Sequence, residues 1–359
     1  MINNIQQFIA AMPKVELHVH LEGSIRPETL QKLAKRHPDI SSKIPIFDIC
    51  ALRSWFTFKD FAQFGETFIT VQNFLRKPED FELITYEYGR EMFVQNILYS
   101  EVILAPFTHT HVLEKGLKLS DILYGLEEGR RKAQVDFGVE IRWVFGFDRG
   151  LCVKKDNKYN FKPAETTLAY AIDAKSHGVV GLTVGGNELA CPPDLFGSLF
   201  RSAKQEGLLS LPHAGENNFK NNSTYVHAAV LEMVADRIGH GIDAIKDSAV
   251  LTLLRERSIP LDINLTSNLA LQIYSDLSQH PFRRLEEAGL ILTVNTDDPA
   301  LFNTSLNREY ELLEEVFEYT RSDIIRIARN SFIVCGATPD LKQFLLSKFD
   351  KWEGSIKDE

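Results

Sequence analysis

The stretch Pro13-Lys14-Val15-Glu16-Leu17-His18-Val19-His20-Leu21-Glu22-Gly23 decides how the rest of the chain is read. Val15, Leu17, Val19 and Leu21 alternate with Glu16, His18, His20 and Glu22, the period of a β-strand, which puts both imidazoles on one face. Two His at i and i+2 reach one point. A divalent zinc or iron ion takes neutral imidazole nitrogens at about 2.0–2.1 Å and wants three or four ligands, whereas an apolar core has no use for paired rings. The bland alternative has one ring packed and the other solvated, so the reading turns on whether the chain supplies further ligands.

Before the strand, Ile5 to Ala11 reads as a short helix stopped by Pro13; after it, Arg26 to His37 is helical, with Ser24 as N-cap and Pro27 in the first turn. Residues 38–90 then form a segment rich in Phe (Phe47, Phe56, Phe58, Phe61, Phe64, Phe68, Phe74, Phe81), longer than one crossover needs. Helical spacing of Phe61, Phe64 and Phe68 reads first as core packing; a lid whose aromatics close over an apolar ligand is the functional alternative. Beyond it, strands at 97–106, 139–147, 179–184, 209–213, 237–240, 260–265 and 290–295 alternate with helices at 119–137, 164–177, 193–205, 224–235, 248–257 and 282–287. With the His-x-His strand these make eight. That pattern indicates an α/β chain closed as a (β/α)8 TIM-like barrel with extra helices inserted after the first strand, its chemistry at the C-terminal strand ends. One domain is expected over 1–359, with 38–90 as its helical insertion, closing helices at 307–319 and 323–334, and a charged, solvated end.

Composition agrees with such a scaffold. At 359 residues, 44% hydrophobic and 25% charged, the chain suits a large barrel core. A net charge of −9, with no local Lys/Arg cluster, argues against nucleic acid or an anionic membrane as partner and for a small soluble substrate. Cys50, Cys152, Cys191 and Cys335 form no Cys-x-x-Cys pair, and no apolar signal run opens the sequence, so reduced thiols and a cytoplasmic location are expected.

Polar residues then gather where a barrel does its chemistry. The first strand ends at His18 and His20, the fifth at His213-Ala214-Gly215-Glu216, the sixth at Gly239-His240-Gly241 and the eighth at Thr296-Asp297-Asp298-Pro299. A buried, hydrogen-bonded His or a helix-capping Asp explains any one of these, but not their convergence. His37, His109, His111, His177, His227 and His280 fall in helices, loops or helix ends and read as ordinary.

Together with Val-Val-Gly-Leu-Thr-Val-Gly-Gly-Asn-Glu at 179–188, Arg-Ile-Gly-His-Gly at 237–241 and Asn-Thr-Asp-Asp-Pro at 295–299, these segments resemble the adenosine deaminase family of zinc-dependent purine aminohydrolases, in order and spacing, from about Pro13 to Leu301. The resemblance implies that His18, His20, His213 and Asp297 bind one zinc ion per chain, that Glu216 handles the proton at purine N1, and that His240 positions the water on the metal. It also implies that Gly186 offers its backbone to N3 and that Asp298 bonds N7. The chemistry is coherent on its own terms. Three imidazoles and one carboxylate leave zinc positive, lowering the pKa of a bound water to about 7. A purine ring accepts attack at C6 only as N1 gains a proton, which calls for an acid in the ring plane. The fourth strand end has no Lys to bridge a second metal, so a mononuclear site is expected.

Two positions depart from the nucleoside deaminases of that family. Glu22 stands where they usually carry an Asp expected to contact the ribose 5′-hydroxyl, and Asn187 replaces the Asp of their Gly-Asp-Glu segment. The extra methylene moves a carboxylate by about 1.5 Å, enough to redirect a buried hydrogen bond worth on the order of 1–3 kcal/mol. The implied function is hydrolytic deamination of a 6-aminopurine nucleoside, adenosine or deoxyadenosine, to the 6-oxo purine and ammonia. The alternatives are adenine or a 5′-substituted adenosine such as aminodeoxyfutalosine or methylthioadenosine as substrate, a mononuclear amidohydrolase of non-purines, and a barrel that binds purine without turnover.

Overall fold

The first strand, β1 (Lys14–His20), is buried along both faces, because one face packs into a barrel and the other lies beneath helices. The structure, a computed structural model, describes residues 4–45, 48–59, 61–154, 156, 158–216 and 223–357; Phe47 lies outside them. From β1 the parallel ladder runs through β2 (Ile97–Leu104), β3 (Glu140–Asp148) and β4 (Val179–Gly185) to the short β5 (Leu209–Ser210). A second parallel sheet follows: β6 (His213–Ala214), β7 (Ile238–His240), β8 (Leu261–Ile263) and β9 (Leu292–Val294).

β5 and β6 are two pieces of the expected fifth strand, parted at Pro212, which has no N–H to give to a ladder. Neighbouring groups carry the strand across the gap, Leu211 N donating to Leu182 O at 3.0 Å and Gly239 N to Pro212 O at 2.9 Å. At the other seam Asp297 bridges Val19, with His20 N donating to Asp297 O at 2.7 Å and Asp297 N to His18 O at 3.1 Å. The eight expected strands thus make the (β/α)8 TIM-like barrel.

Helices Leu119–Phe137 and Phe282–Glu287 keep the ends read from the sequence. In the former, Asp121 accepts from Lys118 N at 2.8 Å and Gly138 at φ 69° ends the helix, so both stop signals are local. Other boundaries moved. The helix Pro27–Arg36 is capped at Arg26, not Ser24, whose hydroxyl instead donates to Leu21 O at 2.7 Å within a 3-10 turn over Glu22–Ser24. The helix expected over 224–235 stops at Leu231, and a short helix, Leu265–Ala270, follows β8 where only strand and loop were expected.

The C-terminal end is not a solvated tail. It forms the helix Pro339–Lys357, which buries Leu345 and Phe349, sets Phe349 4.8 Å from Phe332 and Trp352 5.4 Å from Phe8 between ring centroids. The insertion carries helices Ile49–Trp55, Phe61–Gln72 and Pro78–Val94. Phe56, Phe58, Phe74 and Phe81 are buried, while Phe61, Phe64 and Phe68 are half-buried. Buried Asp80 anchors it, accepting from Arg76 N, Lys77 N and Arg36 and lying 2.7 Å from His37 Nε2, so His37 is structural as expected. Among the described residues no helix is long and apolar enough to cross a membrane.

Candidate active site

At the C-terminal mouth of the barrel, β1 presents His18 and His20, β6 presents His213, β7 ends in His240, and the turn after β9 supplies Asp297. Ring centroids of His18 and His213 are 4.5 Å apart, and those of His20 lie 5.8 Å from His18 and 5.7 Å from His213. Asp297 Oδ1 sits 3.5 Å from His18 Nε2 and 3.3 Å from His20 Nε2. Close approach is possible because position 239 is glycine, where a Cβ would lie 2.6 Å from His18 Cε1. His240 and Asp297 adopt left-handed φ values of 62° and 64°, a strain of roughly 1–3 kcal/mol each that a folded barrel tolerates where function fixes the backbone.

The donor set fits a metal ion. Nitrogen and oxygen atoms of His18, His213, His240 and Asp297 all lie within 4.8 Å of one another, and His20, Asp297 and Asp298 form a second such group around the same Asp. His18 Nε2 is buried without a hydrogen-bond partner among the described residues, which is costly unless a cation takes it. Behind His213, Thr183 Oγ1 lies 3.0 Å from Nδ1, leaving Nε2 to face the centre. Burial keeps His18 neutral and, with the neighbouring rings, pushes His213 well below its usual value, as ligation needs. Desolvation lowers His20 too, but Asp298, Asp297 and Glu22 outweigh it and raise it to about 9, so the acids call for positive charge at this spot. Despite burial, His18 and His20 hold Asp297 well below the carboxylate range.

Glu216, just past β6, lies 3.8 Å from His240 Nε2 through its Oε1. Its loop is held from behind: buried Glu188 accepts from Gly215 N at 2.8 Å and Glu216 N at 2.9 Å, and the guanidinium of buried Arg149 donates to His213 O at 2.7 Å. Burial first, then Asp297 and Glu188, push Glu216 up to about 8, so it carries a proton at neutrality; a cation at the centre acts in the opposite sense. Asp298 is likewise raised well above its usual value by burial, and its Oδ1 has no partner among the described residues. Room for it exists because position 23 is glycine, where a Cβ would lie 1.8 Å from Asp298 Oδ1.

A cavity of about 320 Å³ opens above these groups. His20, His213, Glu216, His240, Asp297 and Asp298 floor it, Gly186 at φ 88° forms one wall, and Phe61, Phe64, Phe68, Ile69, Val112, Leu113, Leu151 and Leu271 give it an apolar roof. Phe61, Phe64 and Phe68 thus line the cavity and also pack against the core, so their spacing serves both.

Glu22 is the exception among the expected site residues. It is buried beneath the mouth and does not line the cavity; its Oε1 lies 2.9 Å from His109 Nε2 and accepts from Gln72 Nε2 at 3.1 Å, and Lys115 Nζ backs His109 Nδ1 at 2.9 Å. Its Oε2 has no partner among the described residues. Several site residues were not singled out from the sequence. Ser267 donates to Asp297 Oδ2 at 2.7 Å, Asn264 and Asn268 face His240, and His280 and His109, read as ordinary, contact Asn268 and Glu22. The signal for the first three was the polar run Asn264-Leu-Thr-Ser267-Asn268 closing the seventh barrel strand.

The chain has relatives among known proteins. A family model described as adenosine deaminase matches residues 13–352. An aminodeoxyfutalosine deaminase of Streptomyces avermitilis is 36% identical over 330 residues, 91% of this chain and 87% of that protein. An adenine deaminase of Psychrobacter cryohalolentis is 30% identical over 346 residues, 96% of this chain and 99% of the relative. Among solved structures, the adenine deaminase of Arthrobacter aurescens matches with a TM-score of 0.84 at 26% identity, over 96% of this chain and 99% of that one.

Proposed function

Because the chain belongs to the adenosine deaminase family of hydrolytic deaminases, we propose that it deaminates a 6-aminopurine nucleoside with a largely apolar extension at the 5′ position, of the methylthioadenosine or aminodeoxyfutalosine kind, with one zinc ion per chain. One observation carries this choice. The cavity of about 320 Å³ extends from the His/Asp group under a roof of Phe61, Phe64, Phe68 and aliphatic side chains, and such a volume lies in the range of about 300–1,000 Å³ typical for drug-sized ligands rather than a bare base. Adenosine or deoxyadenosine, the substrates read first from the sequence, would leave that apolar end unfilled.

His18, His20, His213 and Asp297 would hold the metal, which when bound supplies Lewis acidity and lowers the pKa of a coordinated water. Glu216, protonated through burial, gives its proton to purine N1 as charge gathers on the ring. Asp298, whose carboxyl burial raises well above its usual value, would serve N7 as a donor in its protonated form, since an ionised carboxylate only accepts. Gly186, at φ 88° in the cavity wall, would offer its backbone to N3. His240, with Nε2 3.8 Å from Glu216 Oε1 and 3.9 Å from Asp297 Oδ2, would orient the attacking water.

Free adenine is the second reading, favoured by Glu22, whose Oε1 is already taken by His109 and Gln72 rather than left for a sugar. Specificity constants for adenine, adenosine, methylthioadenosine and aminodeoxyfutalosine, followed by loss of the aminopurine absorbance, separate the two. Burial of one apolar group contributes about 1.5–3 kcal/mol, so the 5′-substituted nucleosides should exceed adenosine by roughly 10–100-fold. Adenine as the best substrate would overturn the nucleoside proposal.

A further inference from the structure

His240 differs from the other imidazoles at the centre in what its second ring nitrogen meets. His213 Nδ1 faces a hydroxyl, but His240 Nδ1 faces two amide nitrogens, Asn264 Nδ2 at 3.4 Å and Asn268 Nδ2 at 3.5 Å. Neither amide is free to turn. Asn264 Nδ2 also donates to Asp262 O at 3.3 Å, and Asn268 Oδ1 lies 3.0 Å from His280 Nε2. At the far end the backbone N–H of Phe282 donates to His280 Nδ1 at 3.2 Å.

The direction of every proton in this chain follows. A neutral imidazole has one N–H and one acceptor. Burial pushes His280 down to about 3, so its ring is neutral. His280 accepts at Nδ1, so its proton is on Nε2 and donates to Asn268 Oδ1. That bond turns the Asn268 NH2 toward His240 Nδ1, which must therefore accept, leaving the His240 proton on Nε2. His240 Nε2 is buried, has no hydrogen-bond partner among the described residues, and lies 3.8 Å from Glu216 Oε1 and 3.9 Å from Asp297 Oδ2.

We propose that Asn268 and His280 are positioning residues that fix His240 as an Nε2–H donor aimed at the attacking water. This rests on the deaminase reading above but not on the choice of purine.

The test uses the zinc-loaded full-length chain labelled with 15N in histidine, with His240 resonances identified by their absence from His240→Gln. The parent should show the Nε2–H tautomer at His240. Asn268→Asp, of the same shape but offering an acceptor to Nδ1, should convert His240 to the Nδ1–H tautomer. It should also lower kcat by about 10–100-fold, the usual cost of losing an outer partner, with KM and metal content nearly unchanged. His280→Leu should lower kcat in the same way, and His280→Gln, which keeps an N–H donor, should recover much of it. An Nδ1–H tautomer in the parent, or a loss in thermal stability alone with kcat intact in both Asn268→Asp and His280→Leu, would overturn the proposal. Absence of turnover on every purine tried would sink the substrate reading instead, and the nitrogen resonances would still decide the tautomer.

Discussion

Glu216 shows how one side chain is given its chemistry by its surroundings. Its backbone is tied down by Glu188, its carboxyl is desolvated, and Asp297 adds a like charge, so it holds a proton where an exposed glutamate would not. Glu216→Gln keeps the shape and the hydrogen bonds of the backbone but has no proton to transfer. General acid catalysis is worth roughly 10²–10⁴-fold, so kcat should fall by that factor while metal analysis still finds about one equivalent. A variant within about threefold of the parent would remove Glu216 from the role. Residues of this kind were legible in the sequence because they sit at strand ends, where a barrel has only one place to send them. Asn268 and His280 were not, because they act through His240, and a polar residue in a loop has an ordinary explanation until its partner is known.

Among the elements, the helix Phe61–Gln72 bears most directly on substrate choice. Phe64 stacks on Phe302 at 5.2 Å and meets Phe58 at 5.4 Å between centroids, and with Phe61 and Phe68 it roofs the cavity. Phe64→Ala should therefore reduce the specificity constant for a nucleoside with an apolar 5′ group by roughly tenfold or more, from the loss of apolar burial, and leave that for adenine within about threefold. Equal loss on both would show that the ring supports the fold rather than the ligand. Spacing alone could not separate those roles, since a helix face turned to a ligand and one turned to a core have the same period. The C-terminal helix is a different failure. Leu341, Leu345, Phe349, Trp352 and Ile356 lie on one stripe, but the Lys, Asp and Glu residues between them made the stretch read as solvated.

For the whole molecule, the ring of strands and the candidate metal ligands cannot be considered apart. His18 and His20 belong to the sheet β1–β5, while His213 and Asp297 belong to or follow strands of the sheet β6–β9. The two sheets meet at Pro212 and at the Val19–Asp297 bridge. An ion held by all four residues is thus a rivet across both halves, and the free energy of binding it is also free energy of closing the ring. Removing it with a chelator should lower the melting temperature, and adding back zinc should restore it. Amide hydrogen exchange should locate the effect, with the amides of His20 and Asp297 losing protection in the stripped protein while those in the middle of β2 and β3 keep theirs. By reciprocity, loosening the seam must weaken the hold on the ion even where no ligand is touched. Asn295 accepts from Leu17 N at 2.8 Å across that seam, so Asn295→Ala should leak metal faster under dialysis than the parent.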